Sequence, residues 1–429
     1  MPATRKFSVG PQFRHREAEI YEKWRGKNSV IPVNEQQHSF DTPERQAAFV
    51  CAQYPTKEER ARYERYRQEW YRRAKEFDPG EFPLAVGLEL VSTCNLGCTM
   101  CYTITDEFQN SVVGAQRMLP WKHVIRVIDE CAALGVCSIL FSWRGESTLY
   151  KSVENGRTYN FADALAYARN KGILEVSSLT HGQMIDQRMA EEIVEAEPNW
   201  INVSIDGLGD VYNKIRTPRN RKGTEYDAFK VVTENVKRLV HIRNARGKTR
   251  PQIRTNTIFP PIANDPDAYY RFMVEIGVDW VTVNEILDFR GSGNDGEELP
   301  VDAVRQNWAC QYPFQRLMLS ANGVVVPCTG AHNEEISLVL GRYLGTPSKA
   351  IRNVRGDIED VSLPEMCIEE LWHCRKLQSI RELHRSGMRT SIKGCRNCRH
   401  GAVKHGVQWV PESWDMAKME WDGRKFRNG

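Results

Sequence analysis

The sequence predicts an α/β protein. Its centre should be a partial (β/α)6 barrel of the TIM type, with a helical extension before it and a small α+β domain after it. Three observations carry this. Apolar, strand-like runs alternate with helix-like stretches from residue 84 to 290, the pattern of parallel βαβ units. The runs number six, which suits an open, partial barrel rather than a closed eightfold one. Further on, "RLMLSANGVVVPC" (316–328) alternates around Asn322-Gly323, which reads as an antiparallel hairpin with a tight turn.

Residues 1–82 form the expected helical extension. Within it, "KEERARYERYRQEWYRRAKEF" (57–77) sets Tyr63, Tyr66, Trp70 and Phe77 on one face at helical spacing, with charges elsewhere. Residues 1–80 carry 16 Lys and Arg against 12 Asp and Glu, an excess equal to the whole chain's +4. A basic, aromatic helix can contact phosphate or nucleic acid. The interleaved acids favour instead a helix packed by its aromatic face, with Arg stems lying over apolar surface. Nucleic acid is therefore not expected as a partner.

Composition narrows the class. Hydrophobic residues are 41% and charged residues 27%, an ordinary core and surface. No run of 18 apolar residues suggests a membrane span. The N-terminus "MPATRKFSVG" has no apolar signal segment, so the chain is expected in the cytoplasm. Twelve cysteines in a reducing compartment favour metal binding or catalysis over disulfides.

The barrel is expected over residues 83–290. Its strands read as 83–91, 136–143, 174–180, 200–206, 251–259 and 278–286, with helices such as 121–135 and 225–245 between them. In a parallel barrel the C-terminal ends of the strands face one mouth. "STCNLGCTMCY" (92–102) begins where the first strand ends, so Cys94, Cys98 and Cys101 sit at that mouth. Closely spaced thiolates bind zinc or iron–sulfur clusters. A structural zinc site would want a fourth protein ligand, normally from paired C-x2-C knuckles. A [4Fe–4S] cluster held by three cysteines leaves one iron open to a small molecule.

C-x3-C-x2-C after the first strand of a partial barrel resembles the radical S-adenosylmethionine superfamily. The resemblance covers residues 84–290 and implies an enzyme. Its fourth iron would be chelated by the amino and carboxylate groups of S-adenosylmethionine. Reductive cleavage would give a 5′-deoxyadenosyl radical that abstracts a substrate hydrogen. An electron donor such as flavodoxin or ferredoxin is implied. One position departs from the family: an aromatic residue usually precedes the third cysteine, and here it is Met100, with Tyr102 following. Met can fill the same space. In "SWRGESTLY", Arg144-Gly145-Glu146 resembles the Gly-Gly-Glu stretch that receives the methionine ammonium, with Arg144 replacing the first glycine. "SLTHG" resembles Thr-Asn-Gly, with His181 in the Asn place. Ser204 resembles the family's ribose contact, with Asp206 beside it, and Arg216 matches a position that reaches the S-adenosylmethionine carboxylate.

A second cysteine set lies within residues 291–406. Cys310, Gly323 and Cys328 form C-x12-G-x4-C, followed after a gap by Cys395 and Cys398 in "CRNC". The hairpin brings Cys310 and Cys328 together, and the pair can close a four-thiolate site, which would also suit zinc. The pattern resembles the SPASM/Twitch extension of radical S-adenosylmethionine enzymes. No cysteine follows Cys398, which implies the shorter, single-cluster form, with one auxiliary [4Fe–4S] cluster on four protein ligands. Cys367 and Cys374 are read as packing residues seven apart on one helix face. Cys51, Cys131 and Cys137 are read as small buried hydrophobes.

Substrate is the least determined feature. Peptide-modifying relatives carry an N-terminal winged-helix module with a three-stranded β part, and residues 1–82 lack that alternation. The single-cluster form resembles enzymes acting on sugars and aminocyclitols, such as the 2-deoxy-scyllo-inosamine dehydrogenase of butirosin biosynthesis. A polar small molecule is therefore expected: a sugar, an aminocyclitol or a nucleotide-linked sugar, oxidised or epimerised. Asn256, Asn284 and Glu285, near the ends of the last two strands, would recognise its hydroxyls or amines. The alternatives are a peptide or protein maturase and a nucleic-acid-binding or zinc-stabilised, non-catalytic protein. The tail 407–429, with Trp409, Trp414 and Trp421, is expected to dock rather than wave free, because indoles are costly to expose.

Overall fold

A computed structural model describes residues 37–39, 41–98, 100–104, 108, 118–219, 226–258, 260–262, 264–284, 309–346, 351–352, 358–359, 363–396, 398, 414–415 and 420–421. The barrel strands are β2 (Ala85–Leu88), β3 (Ser138–Leu140), β6 (Glu175–Thr180), β7 (Trp200–Ser204), β8 (Gln252–Ile258) and β9 (Trp280–Asn284), in which β4 (Lys151–Glu154) and β5 (Arg157–Asn160) form a separate hairpin. Each of the six pairs in parallel with the next. All six fall inside the runs read from the sequence, and the (β/α) alternation holds. On one face Val86, Ile139, Val176, Ile201, Val203, Ile253 and Val281 are fully buried beneath α3 (Trp121–Leu134), α4 (Phe161–Asn170), α5 (Gln187–Ala196), α7 (Ala228–Ala245) and α8 (Pro266–Glu275). The alternate positions, including Glu175, Asn202, Arg254 and Thr282, face the lumen, as the period of two requires.

The helices start where their caps dictate. Asn160 and Asp163 form a capping box on α4, Asp186 caps α5, Asp227 caps α7, and Asp265 caps α8 ahead of Pro266. Each satisfies backbone donors that the first turn leaves free.

The N-terminal extension closes the underside of the barrel. α1 (Pro43–Gln53) leads to α2 (Lys57–Glu76), which opens with a Thr56–Glu59 capping box. Tyr66 and Trp70 on α2 are 4% and 5% exposed and pack with Tyr54, Leu84 and Leu174 as a second small core, while Tyr63 stacks on Tyr54 at 4.3 Å between centroids. Burying each large ring contributes about 1.5–3 kcal/mol. Two details differ from the sequence reading. Phe77 is not on the helix face: it turns left-handed (φ 51°) to end α2 and packs on Phe314 at 5.4 Å. The extension is also not purely helical. β1 (Gln37–Ser39) pairs antiparallel with β9 and covers that edge of the sheet, and Asp41 anchors it by accepting from Val281 N–H (2.6 Å) and Tyr270 Oη (3.0 Å).

At the other edge the sheet runs on without a break. β10 (Arg316–Leu319) lies parallel to β2, then β11 (Val324–Val326) and β12 (Gly341–Tyr343) follow antiparallel. The predicted hairpin is β10–β11, with Gly323 at φ +87° in its turn. After β13 (Ile351–Arg352) and β14 (Ile358–Glu359), β15 (Glu365–Met366) pairs with β12 and leads into α9 (Ile368–His373) and α10 (Arg375–Arg385). Cys367 and Cys374 do not share a helix face. The helix breaks at Cys374, and each thiol is an N-cap, accepting from Glu370 and Leu377 N–H respectively. Cys131 is fully buried, Cys137 is half-buried, and Cys51 is exposed, because α1 buries Phe49 and Gln53 on its opposite side. Of the aromatic tail, the structure describes only an antiparallel pairing of Trp414–Asp415 with Glu420–Trp421; Trp409 lies outside the described residues. No described helix is long and apolar enough to cross a membrane.

Candidate active site

The loop after β2 carries the first cysteine set to the C-terminal end of the barrel. Several contacts fix its course. Gly97 N–H donates to Thr217 O (2.7 Å), and Arg219 N–H donates to Asn95 O (2.9 Å). Arg219 also reaches Leu96 O with Nε (2.8 Å) and Thr103 O with Nη2 (2.8 Å). The segment after α6 (Asp210–Ile215) therefore clamps the cysteine loop. Arg219 was not singled out in the sequence; the only signal was its place three residues after Arg216.

Cys98 is 6% exposed, and Cys94 and Cys101 are half-buried. Burial raises the Cys94 thiol, and the Cys98 charge, then those of Glu146 and Cys101, raises it further. Burial raises Cys98 too, while Arg216 opposes it. The three thiols thus lie within each other's fields. They also meet donors: Leu96 N–H lies 3.4 Å from Cys94 Sγ, Thr103 Oγ1 3.1 Å from Cys101 Sγ, and Arg216 Nη1 3.9 Å from Cys98 Sγ. These contacts suit thiolates that surrender their protons to a metal.

Glu146 stands beside them, 3% exposed. Its N–H donates to Thr93 O (3.0 Å), which ties the β3 loop to the start of the cysteine loop. Its Oε1 accepts from Thr148 N–H (3.1 Å), Thr148 Oγ1 (2.6 Å) and Thr180 Oγ1 (2.6 Å), and its Oε2 from His181 N–H (2.9 Å). Burial alone would raise this carboxyl; the charge His181 carries when protonated, and the hydroxyl and backbone donors, oppose it and lower Glu146. Oε2 keeps a lone pair for a further donor. Gly145 is required for this packing, since a Cβ there would collide with the Val91 carbonyl and the Ser92 backbone. Gly145→Ala is expected to push the 144–146 loop off the 91–93 segment. S-adenosylmethionine affinity should fall at least about tenfold with a lowered Tm; equilibrium binding to the reconstituted protein checks this, and unchanged affinity would contradict the close-approach argument.

His181 occupies the expected Asn place and does structural duty there. Its Nδ1 accepts from Gln183 N–H (3.0 Å), which leaves the proton on Nε2, directed at Asn95 Oδ1 (2.8 Å) within the cysteine loop. Burial lowers its pKa, in keeping with this neutral tautomer.

Arg216 and Asp206 form a buried pair. Arg216 Nε and Nη2 lie 2.7 and 2.6 Å from Asp206 Oδ2, and Asp206 Oδ1 accepts from Ile258 N–H (3.0 Å). Asp206 thus holds Arg216 against Cys98 and joins the ends of β7 and β8. Ser204 ends β7 half-buried, level with Asn256 across the sheet. Asn256 is 8% exposed with its Oδ1 accepting from Thr282 Oγ1 (3.2 Å). Asn284 ends β9 at the rim, and Glu285 lies outside the described residues.

The second cysteine set also assembles. Cys310, Cys328, Cys395 and Cys398 lie within each other's electrostatic reach, and burial raises Cys310, Cys328 and Cys395. The Cys328 and Cys398 sulfurs approach one point beside Gly330, at 3.9 and 4.0 Å from where a Cβ would stand. His384 bridges the set: its Nδ1 accepts from Cys310 N–H (3.0 Å) and its Nε2 lies 3.7 Å from Cys395 Sγ. Sequence reasoning passed over His384. Among the described residues no three His, Cys, Asp or Glu side chains converge closely enough to chelate a single metal ion.

A buried ion network links the two sets. Arg144 Nε and Nη2 donate to Glu89 Oε1 (2.9 Å) and Oε2 (2.6 Å), and Nη1 lies 2.9 Å from Glu334 Oε1. Next to it, Trp143 Nε1 donates to Thr329 O (2.9 Å), adjacent to Cys328. The ring of His332 lies between Tyr102 (5.8 Å) and Trp143 (6.0 Å).

The site is thus three thiols at the C-terminal end of a parallel barrel, beside a buried carboxylate surrounded by hydrogen-bond donors. Residues 88–242 match the model of the Radical SAM superfamily, and the chain carries a radical SAM domain. Among curated proteins it is 32% identical over 143 residues to the Fe-coproporphyrin III synthase of Methanosarcina barkeri, covering 33% of this chain and 31% of that one. It is 22% identical over 210 residues to the tungsten-containing aldehyde ferredoxin oxidoreductase cofactor-modifying protein of Pyrococcus furiosus, covering 47% and 51%. The chain therefore spans about a third and about half of those relatives. Among solved structures, BtrN in complex with AdoMet and 2-DOIA aligns over 76% of this chain and 97% of its own at 14% identity, TM-score 0.44. Native anSMEcpe with bound AdoMet aligns over 79% and 95% at 16% identity, TM-score 0.48.

Proposed function

We propose that the chain is a radical S-adenosylmethionine enzyme with two [4Fe–4S] clusters that oxidises or epimerises a polar small molecule. The observation that carries this is the mouth itself: three mutually interacting thiols, with Arg216 against one of them and the ionised Glu146 alongside. Cys94, Cys98 and Cys101 would hold the site-open cluster, and Cys310, Cys328, Cys395 and Cys398 the auxiliary one in a Twitch-type domain. Together with S-adenosylmethionine, the first cluster supplies a 5′-deoxyadenosyl radical that takes a hydrogen atom from the substrate.

The chain's own residues bind, orient and exclude water. Glu146 Oε2 and the backbone at Gly145 would receive the methionine ammonium. Arg216, fixed by Asp206, would meet its carboxylate while its charge favours the Cys98 thiolate. Ser204 would meet the ribose. Arg219, Asn95 and His181 hold the loop that presents the thiolates. Asn256 and Asn284 point to a substrate with hydroxyl or amine groups. A low-potential donor such as flavodoxin or ferredoxin would supply electrons in the cytoplasm.

Anaerobic reconstitution tests the reading. About eight irons and eight sulfides per chain are expected, with deuterium passing from a labelled candidate substrate into 5′-deoxyadenosine. One zinc and no iron at the second set would overturn the two-cluster assignment. Deuterium transfer from a peptide rather than from any sugar or cyclitol would move the substrate to the maturase class.

A further inference from the structure

Below the level of Asn256 the lumen holds a cation with no direct ion pair among the described residues. Arg254 lies two positions before Asn256 on β8, on the same lumen-facing side, and is 2% exposed. Its Nε donates to Thr282 Oγ1 (3.3 Å). Its guanidinium carbon lies 5.5 Å from the Trp200 ring centroid and 5.1 Å from that of Trp280. Its Nη2 is buried with no hydrogen-bond partner among the described residues. The acid in its field, Glu175, stabilises the charge at a distance without a direct ion pair; its oxygens accept from Ser138 Oγ (3.0 Å) and Tyr54 Oη (3.2 Å). Burial draws Arg254 down to about 10, with Glu175 and Tyr63 partly offsetting it, so it stays cationic at neutral pH.

A buried charge without a partner is strongly unfavourable in a fold that has to keep it there unaided. The two indoles relieve part of that cost but leave Nη2 unanswered. Nearby polar atoms on the lumen side are also unanswered. Asn202, opposite Arg254 in the β7–β8 register, is 1% exposed with Oδ1 unpartnered, as is Ser177 Oγ on β6 beside Trp200. Asn284 Oδ1, at the rim, is unpartnered too. In register, these groups run along the lumen-facing side of β6 to β9 from the rim at Asn284 toward the N-terminal ends, where Arg254 lies. The residues that would hold the clusters and S-adenosylmethionine are separate from it.

We propose that Arg254, with Asn202 beside it, is the floor of the substrate chamber and receives an anionic oxygen group, a carboxylate or a phosphate, carried by the substrate. This rests on the reading of the barrel mouth as the place of chemistry and narrows its substrate from a polar molecule to an anionic one. A guanidinium fork suits either group because it offers parallel N–H donors to two oxygens. Asn256 and Asn284 would meet the neutral hydroxyls nearer the mouth.

The probes are D-glucuronate, D-glucose 6-phosphate and D-glucose, which share one ring and differ in charge. Calorimetry uses the anaerobically reconstituted full chain with S-adenosylmethionine at fixed ionic strength. At least one anion should bind about tenfold or more tightly than glucose, and which one does so separates carboxylate from phosphate. Arg254→Gln should lose that advantage. Asn202→Asp should lose it as well, because the new carboxylate would occupy the guanidinium, and its Tm without probe should rise. That variant keeps Arg254 and pairs it, so the test stands even where Arg254→Gln does not fold. Glucose binding as tightly as both anions, no saturable binding of either anion, or an undiminished anion affinity in Asn202→Asp would each overturn the proposal. 5′-Deoxyadenosine formation by the unmodified chain without probes reports on the radical reading separately. A chain that cleaves S-adenosylmethionine yet shows no anion preference loses only the floor.

Discussion

Replacing Cys94, Cys98 and Cys101 together with Ala is expected to reduce 5′-deoxyadenosine formation under dithionite to the level of buffer. The same variant should retain about four irons per chain, with the absorbance of a bound cluster. The reason lies in how the two thiol sets are built. The first set is held by the loop after β2 and the Arg219 clamp; the second by the β10–β11 hairpin, α10 and His384. Neither set lends a cysteine to the other, so loss of one should leave the other able to load. Cleavage at the unsubstituted rate would show that the first set does not hold the reactive cluster. Loss of all iron would show that the second set cannot load alone. The reciprocal variant, with Cys310, Cys328, Cys395 and Cys398 changed to Ala, should retain about four irons as well.

Much of this arrangement was legible in the chain, for identifiable reasons. Period-two apolar runs fixed the six parallel strands because each must bury one face under helices. The cysteine spacing marked Cys94, Cys98 and Cys101 as a group at the mouth because the loop leaves a strand whose end faces it. Asn322-Gly323 located the hairpin because such a turn needs a positive φ, which Gly323 adopts. What stayed hidden depends on contacts distant in sequence. Nothing near Arg219 shows that it reaches back 123 residues to Leu96. His181 stood in the place of a family Asn, and nothing in the chain showed that its ring is committed to Asn95 and Gln183. Cys374 followed a helical pattern, yet its thiol serves as a cap at a break that spacing does not reveal. Arg254 stood within a strand run, and only the lumen shows that its Nη2 has no hydrogen-bond partner among the described residues.

Arg144→Met is expected to destabilise the fold by about 3–5 kcal/mol, read as a lowered urea midpoint at unchanged slope. The substitution keeps much of the side-chain volume, so the effect reports the guanidinium's charge together with its contacts to His332 O (3.1 Å) and the Trp143 ring (4.2 Å). Arg144 is the only ion-pair partner of Glu89 and Glu334 among the described residues, and the three side chains are 0%, 1% and 2% exposed. Without the guanidinium, two carboxylates remain buried with only neutral donors: Ala321 N–H (3.0 Å) and the backbone N–H of residue 144 (3.0 Å) on Glu89, and Asn322 Nδ2 on Glu334 Oε2 (2.9 Å). Ala321 and Asn322 lie in the hairpin of the second thiol set, whereas Glu89 follows the first barrel strand and Arg144 directly precedes Gly145-Glu146. The arginine that replaces a family glycine therefore fastens the C-terminal segment to the loop expected to receive the methionine ammonium. Adding Glu334→Gln should recover part of the loss, because it removes one of the two stranded charges. S-adenosylmethionine affinity should fall in Arg144→Met and return in part with Glu334→Gln. A midpoint shift worth less than about 1 kcal/mol would show that water reaches the network and that the two parts of the chain are held by packing alone.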